Sequence, residues 1–578
     1  VEGAFHLSCD DPAVYHAITS STKKIWEAKF AEAQQIVAEY EKESLCAALA
    51  KSESLLWIYS MEHTNTAFET AMSCYMKLEE ITIDMNEACK PPSVLSSIGS
   101  FFGSTKKISA EEQASMTNNY IETLVALADI SGGIAMLLLR SQQRMKAAYR
   151  LRKAWKFYQE AYELVMQHEE WNQVIPKDDV KAGEDSESIN AVWDNLIKPS
   201  PTDESLSGKD LRIRNIVGRL IFGRGLFCYT ISMLPKSLQW LVELIGFSSD
   251  RKQGLHDVLS ATRINPSPRS DWARAALGTI RYFFFDETEQ AMSLVEEMLK
   301  ETENSPMLCM IIAGMYRVEG KIEESSAKYR EAYEYAAQVP SYQLTAHYEL
   351  GHNYFLVGEW EKAAPLIKEY LENSKSPNFK AFGGYKLGVC YWVLEGKDAL
   401  EKIRPLFNKV INEWKRPRMS YDAYAARHCQ KFLDNSAFSE LHILFVEIGN
   451  FEDAKLFDRG EEKLKQVEHL LASKPHRANE KGLYLYWKGH LLQKTEEHVD
   501  ALKTFNELVQ LYDEIEEDKW IVAYAELESV EIFIKLENFE KAQMVLDQLK
   551  KRSGYDFEKH VSMRIKKLQS KISRHSKQ

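Results

Sequence analysis

Apolar residues recur at intervals of three and four positions along most of the chain. One run places Ala67, Ala71, Tyr75 and Leu78 on this spacing. In an α-helix such residues lie on one face, which a neighbouring element can cover. The apolar–polar alternation typical of strands is rarely sustained anywhere in the sequence. The pattern therefore predicts an all-α protein.

The helical periodicity is lost in two segments, and these divide the chain. A stretch rich in Ser, Gly and Pro predicts a mobile loop near residues 90–109, and an acidic, Ser-rich stretch predicts a flexible loop at residues 176–210. The other predicted regions are an N-terminal helical region at residues 1–175 with one repeat-like hairpin near residue 30, a helical hairpin at 211–275 and a repeat array at 276–578.

The repeat array is predicted from a recurring order of small and aromatic residues. Gly351, Tyr354, Gly358 and Ala363 occupy the positions expected in a tetratricopeptide unit of about 34 residues. The small residues let two helices approach, and Gly358 permits a turn with positive φ. Similar offsets recur through the C-terminal half, so we predict stacked helical hairpins that form an α-α superhelix with a concave face.

The repeat register also predicts which side chains line the concave face. Large amphipathic residues at such positions are typical anchors for a bound peptide or helix. The alternative is that several of them pack against adjacent hairpins or an inserted helix. The candidate partner-binding residues are Arg317, Tyr348, His352, Phe355, Tyr385, Trp392, Tyr486, His490 and Gln493.

Composition limits the classes of partner. The chain has 73 Lys and Arg against 85 Asp and Glu, a net charge of −12, which disfavours nucleic acid as a chain-wide partner. Eight cysteines are scattered without a C-x-x-C pair, a pattern that fits neither a disulfide framework nor a zinc site. This cysteine pattern is typical of a reducing compartment, so we expect a cytoplasmic protein.

A glycine-rich segment between about residues 210 and 260 is the most specific motif. Three glycines in an apolar helix indicate close helix–helix contact, a Leu-Pro pair ends the helix, and a turn follows in which Asp250 and Arg251 cap or clamp the chain, or else bind a partner. The residues of this signature are Gly218, Gly223, Gly225, Pro235, Gly246, Phe247, Asp250, Arg251 and Gly254.

This signature is similar to that of the tetratricopeptide repeat protein 39 family, which is related to the fungal inclusion body clearance proteins. Further similarity lies in residues 150–158 and 553–557. The resemblance implies a non-enzymatic adaptor or scaffold associated with protein turnover and inclusion clearance, lipid homeostasis or cilium assembly. It brings no catalytic residues.

Motifs for enzymatic chemistry are not found in the sequence. The glycines at 99 and 103 lack the spacing and lysine of a phosphate-binding loop, and Gly223 and Gly225 lack the third glycine of a dinucleotide fingerprint. His347 and His352 are five residues apart, so they do not share a helix face as metal ligands would. We expect no enzyme activity, cofactor or metal.

Two further expectations concern partners. The repeat positions that supply Lys and Asn in carboxylate-clamp domains hold pairs such as Tyr348 and His352, so we expect no binding of chaperone C-termini. The alternative function is a peripheral docking protein on an organelle surface, such as the mitochondrial outer membrane or a lipid droplet. It would dock through the apolar hairpin at 220–247 or through Phe101 and Phe102, so membrane contact would be at most peripheral.

Overall fold

The computed structural model describes seven segments of the chain and contains no strand within them. They are residues 10–91, 109–176, 206–232, 251–282, 288–414, 421–473 and 477–575. Helices make up most of these segments, which confirms the predicted all-α class. The loops predicted near 90–109 and at 176–210 lie largely outside the described residues, and so do Pro235, Gly246, Phe247 and Asp250.

The helices described before residue 302 range from 4 to 31 residues in length. They are α1 Pro12–Trp26, α2 Phe30–Ala38, α3 Leu45–Glu62, α4 Asn65–Ala88, α5 Ala110–Arg140, α6 Arg144–Gln167, α7 Glu169–Asn172, α8 Gly208–Ser232, α9 Arg251–Thr262, α10 Pro268–Ile280 and α11 Thr288–Glu301.

The later helices alternate with tight turns. They are α12 Pro306–Val318, α13 Ile322–Tyr335, α14 Pro340–Leu356, α15 Trp360–Asn373, α16 Lys380–Glu395, α17 Leu400–Asn412, α18 Asp422–Asn435, α19 Glu440–Asp453, α20 Phe457–Ser473, α21 Ala478–Lys494, α22 His498–Gln510, α23 Trp520–Lys535, α24 Phe539–Leu549 and α25 Glu558–His575. A single 3-10 turn, Gly396–Ala399, precedes α17.

Helix starts are fixed by polar caps in the sequence. Ser109 accepts a hydrogen bond from the Glu112 backbone N–H at 3.1 Å, and the Glu112 carboxylate accepts one from the Ser109 N–H at 2.9 Å. This capping box satisfies two N–H groups that would otherwise lack partners at the start of α5. Ser44 and Thr64 cap α3 and α4 in the same way with their hydroxyls.

The chain forms two compact units. Unit 1 comprises Val1–Ile312 and Glu334–Tyr342, and unit 2 comprises Ala313–Tyr333 and Gln343–Gln578. The division lies near residue 313, whereas the repeat array is predicted to begin at residue 276. The difference arises because α10 packs against α8 and α9, so the helices after residue 276 begin within unit 1.

In unit 1, α8 and α9 approach at two glycines of the sequence signature. A Cβ on Gly225 would lie 2.7 Å from the Val258 backbone N, and one on Gly254 would lie 2.6 Å from the Tyr229 backbone N. Neither helix could hold a larger residue here without moving its backbone. Gly218 and Gly223 face the side chains of Ser267 and Tyr158 in the same way.

Buried arginines join the helices of unit 1. Arg219 of α8 is 3% exposed and donates to Glu53 at 2.9 Å and to Asp129 at 2.8 Å. Arg224 pairs with Asp257 of α9 at 2.5 Å. Each of these arginines neutralises the charge of carboxylates on other helices, so the ion pairs fix the position of α8 against its neighbours.

The most apolar long helix among those described is a core helix of unit 1. Glu111–Arg140 is long and apolar enough to span a membrane by length and composition, but 83% of its apolar window is buried inside the protein. It packs against α4 and α6. The described part of the apolar hairpin predicted at 220–247 is also mostly buried, with Leu220 and Ile231 at 0% and 7% exposure.

In unit 2, the predicted repeat geometry is present. Gly320 and Gly358 have φ of +77° and +79° and form the turns between helices. A Cβ on Gly351 of α14 would lie 3.4 Å from the Ala363 carbonyl of α15, so these helices cross closely. Hairpins α16–α17, α19–α20, α21–α22 and α23–α24 follow, and successive hairpins pack on one another.

Cysteine chemistry differs in part from the expectation. Cys46 is disulfide-bonded, although the cysteine pattern predicts no disulfide framework. Free thiols are carried by Cys74, Cys89, Cys228, Cys309, Cys390 and Cys429. Within the described segments, no group of three His, Cys, Asp or Glu side chains is placed to hold a metal ion.

Candidate functional site

The side of unit 2 on which the repeat register places the candidate residues is called its inner face, and its first candidate residue is an arginine at the end of α12. Arg317 donates from Nε to Asn353 Oδ1 and from Nη1 to Glu349 Oε2, both at 2.7 Å. Both acceptors are on α14, one hairpin later in the chain. Asn353 in turn donates to Ser325 Oγ at 2.8 Å, which completes a polar contact between consecutive hairpins.

The next hairpin contributes a buried lysine. Lys386 of α16 is 2% exposed, and its Nζ lies 3.0 Å from His352 Nδ1 and 4.3 Å from the centre of the Phe382 ring. Burial lowers the pKa of Lys386 to about 7. Burial and the nearby Lys386 also hold the pKa of His352 well below its usual value. The His352 imidazole is therefore neutral, and its Nδ1 accepts a hydrogen bond from the Lys386 amine.

Further along, a histidine is held between two carboxylates. His490 of α21 lies 3.2 Å from Glu452 Oε2 of α19 through Nε2 and 2.8 Å from Glu528 Oε2 of α23 through Nδ1. Burial opposes its protonation, but the two carboxylates outweigh burial and raise the pKa of His490 to about 9. Tyr486 also donates to Glu528, at 3.0 Å. The imidazolium therefore joins three successive hairpins.

A carboxylate with free surface lies among these groups. Asp453, the last residue of α19, is exposed, and its carboxylate forms no hydrogen bond with any described residue. The surrounding protein nevertheless desolvates it and raises its pKa to about 6, while Lys386 and His490 act in the opposite direction. An accessible side chain that is partly desolvated is typical of a group inside a cleft.

A small cavity lies next to this cluster. It has a volume of about 70 Å³ and is lined by residues of α18, α19, α21 and α23, including His428 and His442, and by Asp518, which precedes α23. The Tyr385 hydroxyl lies 2.8 Å from His442 Nε2. Burial lowers the pKa of both histidines, so both rings are neutral at pH 7. The cavity can take a few waters or one small side chain.

The predicted anchor residues lie in different surroundings. Four aromatic side chains are buried, with Tyr348 and Tyr385 at 2% exposure, Phe355 at 3% and Tyr486 at 4%. The residues with part of their surface open are Arg317, His352, Trp392, His490 and Gln493. Partner binding by the set stays a prediction, and the more open residues are the ones that a partner could reach without rearrangement.

The burial of Tyr385 is explained by α18. This helix packs against α16, and its Tyr424 and His428 rings lie 5.9 Å from the Tyr385 ring. Trp392, later on α16, packs edge-on against Phe432 of α18. The helix adds a layer that a simple alternation of hairpins does not contain.

Sequence reasoning missed the charged members of the site. Lys386, Glu452, Asp453 and Glu528 are absent from the predicted set. One local signal pointed to Lys386, since it is a lysine within an otherwise apolar and aromatic helix. The acidic residues gave no such signal because their importance depends on contacts with distant hairpins.

The order of helices and the α8–α9 signature can be compared with known families. A model of the Iml2/Tetratricopeptide repeat protein 39 family matches residues 21–449. The chain belongs to this family. The match confirms the resemblance found in the sequence and includes both the α8–α9 glycines and the first hairpins of unit 2. The family and the helical-repeat fold together support the role of a protein-interaction scaffold.

Solved structures similar to this member of the family are also helical-repeat proteins. The human IFIT1 dimer with PPP-AAAA is 13% identical, with 87% of this chain and 95% of that chain covered and a TM-score of 0.31. The TPR domain of P58(IPK) is 12% identical, with 80% and 99% covered and a TM-score of 0.19. Yeast Tom70 is 11% identical, with 98% and 97% covered and a TM-score of 0.23.

Proposed function

We propose that the protein is a non-enzymatic adaptor whose unit 2 inner face binds a polypeptide segment of a client. The finer role is to bring that client to machinery for protein turnover and inclusion clearance, lipid homeostasis or cilium assembly, in the cytoplasm. Membership in a helical-repeat family supports the adaptor role. The environment of Asp453 supports the place of binding.

Asp453 is the observation that carries the proposal. A carboxylate at the C-terminus of a helix is unfavourable because the macrodipole is negative there. Its partial desolvation adds to this cost. The macrodipole and the desolvation both destabilise the ionised Asp453, and no described residue donates a hydrogen bond to its carboxylate. A hydrogen-bond donor from a bound client would therefore stabilise this carboxylate.

The charges around Asp453 indicate the chemistry of the bound segment. The cluster contains Arg317, Lys386 and His490 as bases and Glu349, Glu452, Asp453 and Glu528 as acids, a sum of 3 − 4 = −1 with the lysine protonated. The sum becomes −2 when the lysine is neutral, as its lowered pKa permits. We therefore expect a client segment that presents a lysine, arginine or amide side chain to Asp453.

Proximity labelling in cells tests this function. The wild type is compared with Asp453→Asn, which keeps the shape and removes the charge, and with Asp500→Asn, an exposed aspartate on α22. We expect specific clients to disappear from the labelled set only for Asp453→Asn. An identical set for all three proteins would show that this carboxylate does not bind clients.

Peripheral docking on an organelle is the second function to be tested. Within the described residues nothing favours it over the adaptor role, because Phe227 and Ile231 of α8 are buried in unit 1. Fractionation separates the two functions: a protein released without detergent or carbonate is not stably docked.

The expected lack of carboxylate-clamp binding is tested by titration with a chaperone C-terminal pentapeptide, for which we expect no saturation at micromolar concentration.

A further inference from the structure

An apolar groove lies on the surface of unit 1, between α4, the end of α5 and the start of α6. Its volume is about 480 Å³. The apolar residues that line it are Met72, Met76, Ile134, Leu138, Met145 and Tyr149. Met76, Met145 and Tyr149 are 43%, 61% and 65% exposed. Three large, mostly apolar side chains are therefore exposed to solvent around one groove, and such a patch is typical of an interaction surface.

The shape of the groove suits a helix. A second hollow shares Met76 and extends along α4 to Ile83. From Met72 to Ile83 the helix rises about 16 Å at 1.5 Å per residue, which is about three turns. An amphipathic helix places anchors over such a length on one face. Methionine side chains adapt to different anchors because they are unbranched and polarizable.

The wall of the groove that α6 forms is basic. Helix α6 has a run of bases before its first acid, Glu160. The bases are Arg144, Lys146, Arg150, Arg152, Lys153 and Lys156. Arg150 and Lys153 neutralise Glu79 of α4, at 2.5 and 2.7 Å, while Lys146 is exposed at the groove and forms no ion pair with a described residue. In a chain of net charge −12, this local excess of bases favours an acidic partner.

We propose that this groove binds an acidic amphipathic helix of a partner protein, with apolar anchors on the methionines and carboxylates towards Lys146 and the first turns of α6. Anionic membrane is the less favoured partner. A bilayer surface is too flat to fill a groove between helices, whereas one amphipathic helix can lie in it.

Fluorescence anisotropy with the full chain tests the proposal. The probe is a labelled peptide of about four helical turns, with leucines at i, i+3 and i+4 and glutamates elsewhere. Its twin carries lysines in place of glutamates. We expect saturable binding of the acidic peptide, about tenfold weaker binding of the twin and weakening of the acidic complex as salt is raised.

Matched variants locate the binding. Met145→Glu places a charge in the groove, and we expect about tenfold weaker binding of the acidic peptide. Met544→Glu changes a methionine of similar exposure, 65%, on α24 and should leave binding unchanged. Lys146→Glu should weaken binding severalfold, whereas Lys156→Glu, ten residues further along α6, should have less effect.

Three results would overturn the proposal. They are equal affinity for both peptides, equal affinity of the wild type and Met145→Glu, and no saturable binding of the acidic peptide. Vesicles of phosphatidylcholine with phosphatidylserine form the other arm. Vesicle binding that Met145→Glu abolishes, with no peptide binding, would assign the groove to a membrane surface instead. Circular dichroism of each variant confirms that the protein is folded.

Discussion

The two units use buried charge in different ways. In unit 1 the arginines that join the helices are enclosed: Arg219 is 3% exposed and bound to Glu53 and Asp129. In unit 2 the charges follow the inner face, where His490 joins three hairpins and Asp453 keeps free surface. Enclosed pairs can only hold helices in register. A charge with free surface can also act on another molecule, so we look for client binding in unit 2.

The sites for external contact differ in the same way. The groove of unit 1 is apolar with one basic wall, formed by α6, whereas the inner face of unit 2 is polar and its charged cluster is net negative. Two surfaces of opposite charge favour two different partners. This is the arrangement that an adaptor needs, because it joins one protein to another.

The largest expected effect comes from removing an enclosed charge. Arg219→Met leaves Asp129 with a weaker partner and Glu53 with Arg269 alone, so we expect a loss of about 3–5 kcal/mol in the free energy of unfolding. Urea unfolding followed by circular dichroism measures it. The control is Arg404→Met, because Arg404 is exposed and its side chain is bonded only to Ser436 among the described residues. A loss no larger than that of the control would show that the arginines of unit 1 do not fix its helices.

The second effect is steric. Gly254→Ala places a methyl group against the Tyr229 backbone N, where a Cβ would lie at 2.6 Å, and we expect a loss of about 1–3 kcal/mol. The control is Gly132→Ala on α5, because nothing lies within 4 Å of its Cβ position. This control should gain up to about 1 kcal/mol, since alanine favours a helix more than glycine does. Similar losses for the two variants would contradict the close approach of α8 and α9.

Features encoded over short distances in the sequence could be predicted. Gly358 forms a turn with positive φ, and Gly351 meets Ala363 across one hairpin. Both relations lie within one repeat unit, so the fold class follows from spacing alone. The extra helix α18 could not be predicted, because the irregular spacing after Gly388 hides it.

The site depends on contacts that spacing does not show. His490 lies 38 residues from both Glu452 and Glu528, so its neighbours in sequence say nothing about its charge. The repeat position of Tyr385 predicts that it lies on the concave face, but α18 covers it. The register of a repeat therefore predicts which way a side chain points and leaves open what lies in front of it.

The third prediction tests the charge of His490. Its pKa rises from 6.5 in the unfolded chain to about 9 in the fold, so protonation contributes stability that is complete below pH 6.5 and is lost as pH rises through 9. We expect His490→Gln to lower the free energy of unfolding by about 1–2 kcal/mol near pH 6. Above pH 9 the deficit should become much smaller. The titration of Lys386 is present in both proteins and largely cancels in the difference.

A pH-independent difference between these two proteins would contradict the imidazolium. In that case the two carboxylates would hold a neutral ring, and the polar contact between hairpins would be an ordinary hydrogen bond. Glu447→Gln is the matched control on α19, because this carboxylate pairs with Lys463 of α20 outside the cluster. Its effect should stay within about 0.5 kcal/mol.

The smallest expected effect is that of Asp453→Asn on stability. The pKa of this carboxyl is raised from 3.8 to about 6, so its ionisation destabilises the fold as pH rises from 3.8 through 6. The variant should be equal to or slightly more stable than the wild type above pH 6, by less than about 0.5 kcal/mol for an exposed group. The two should become equal below pH 4. Unfolding curves at pH 4 and pH 7 measure this. A clear loss of stability at pH 7 would make Asp453 a structural residue like the enclosed charges of unit 1, and a change in labelled clients would then follow from the fold rather than from a lost contact.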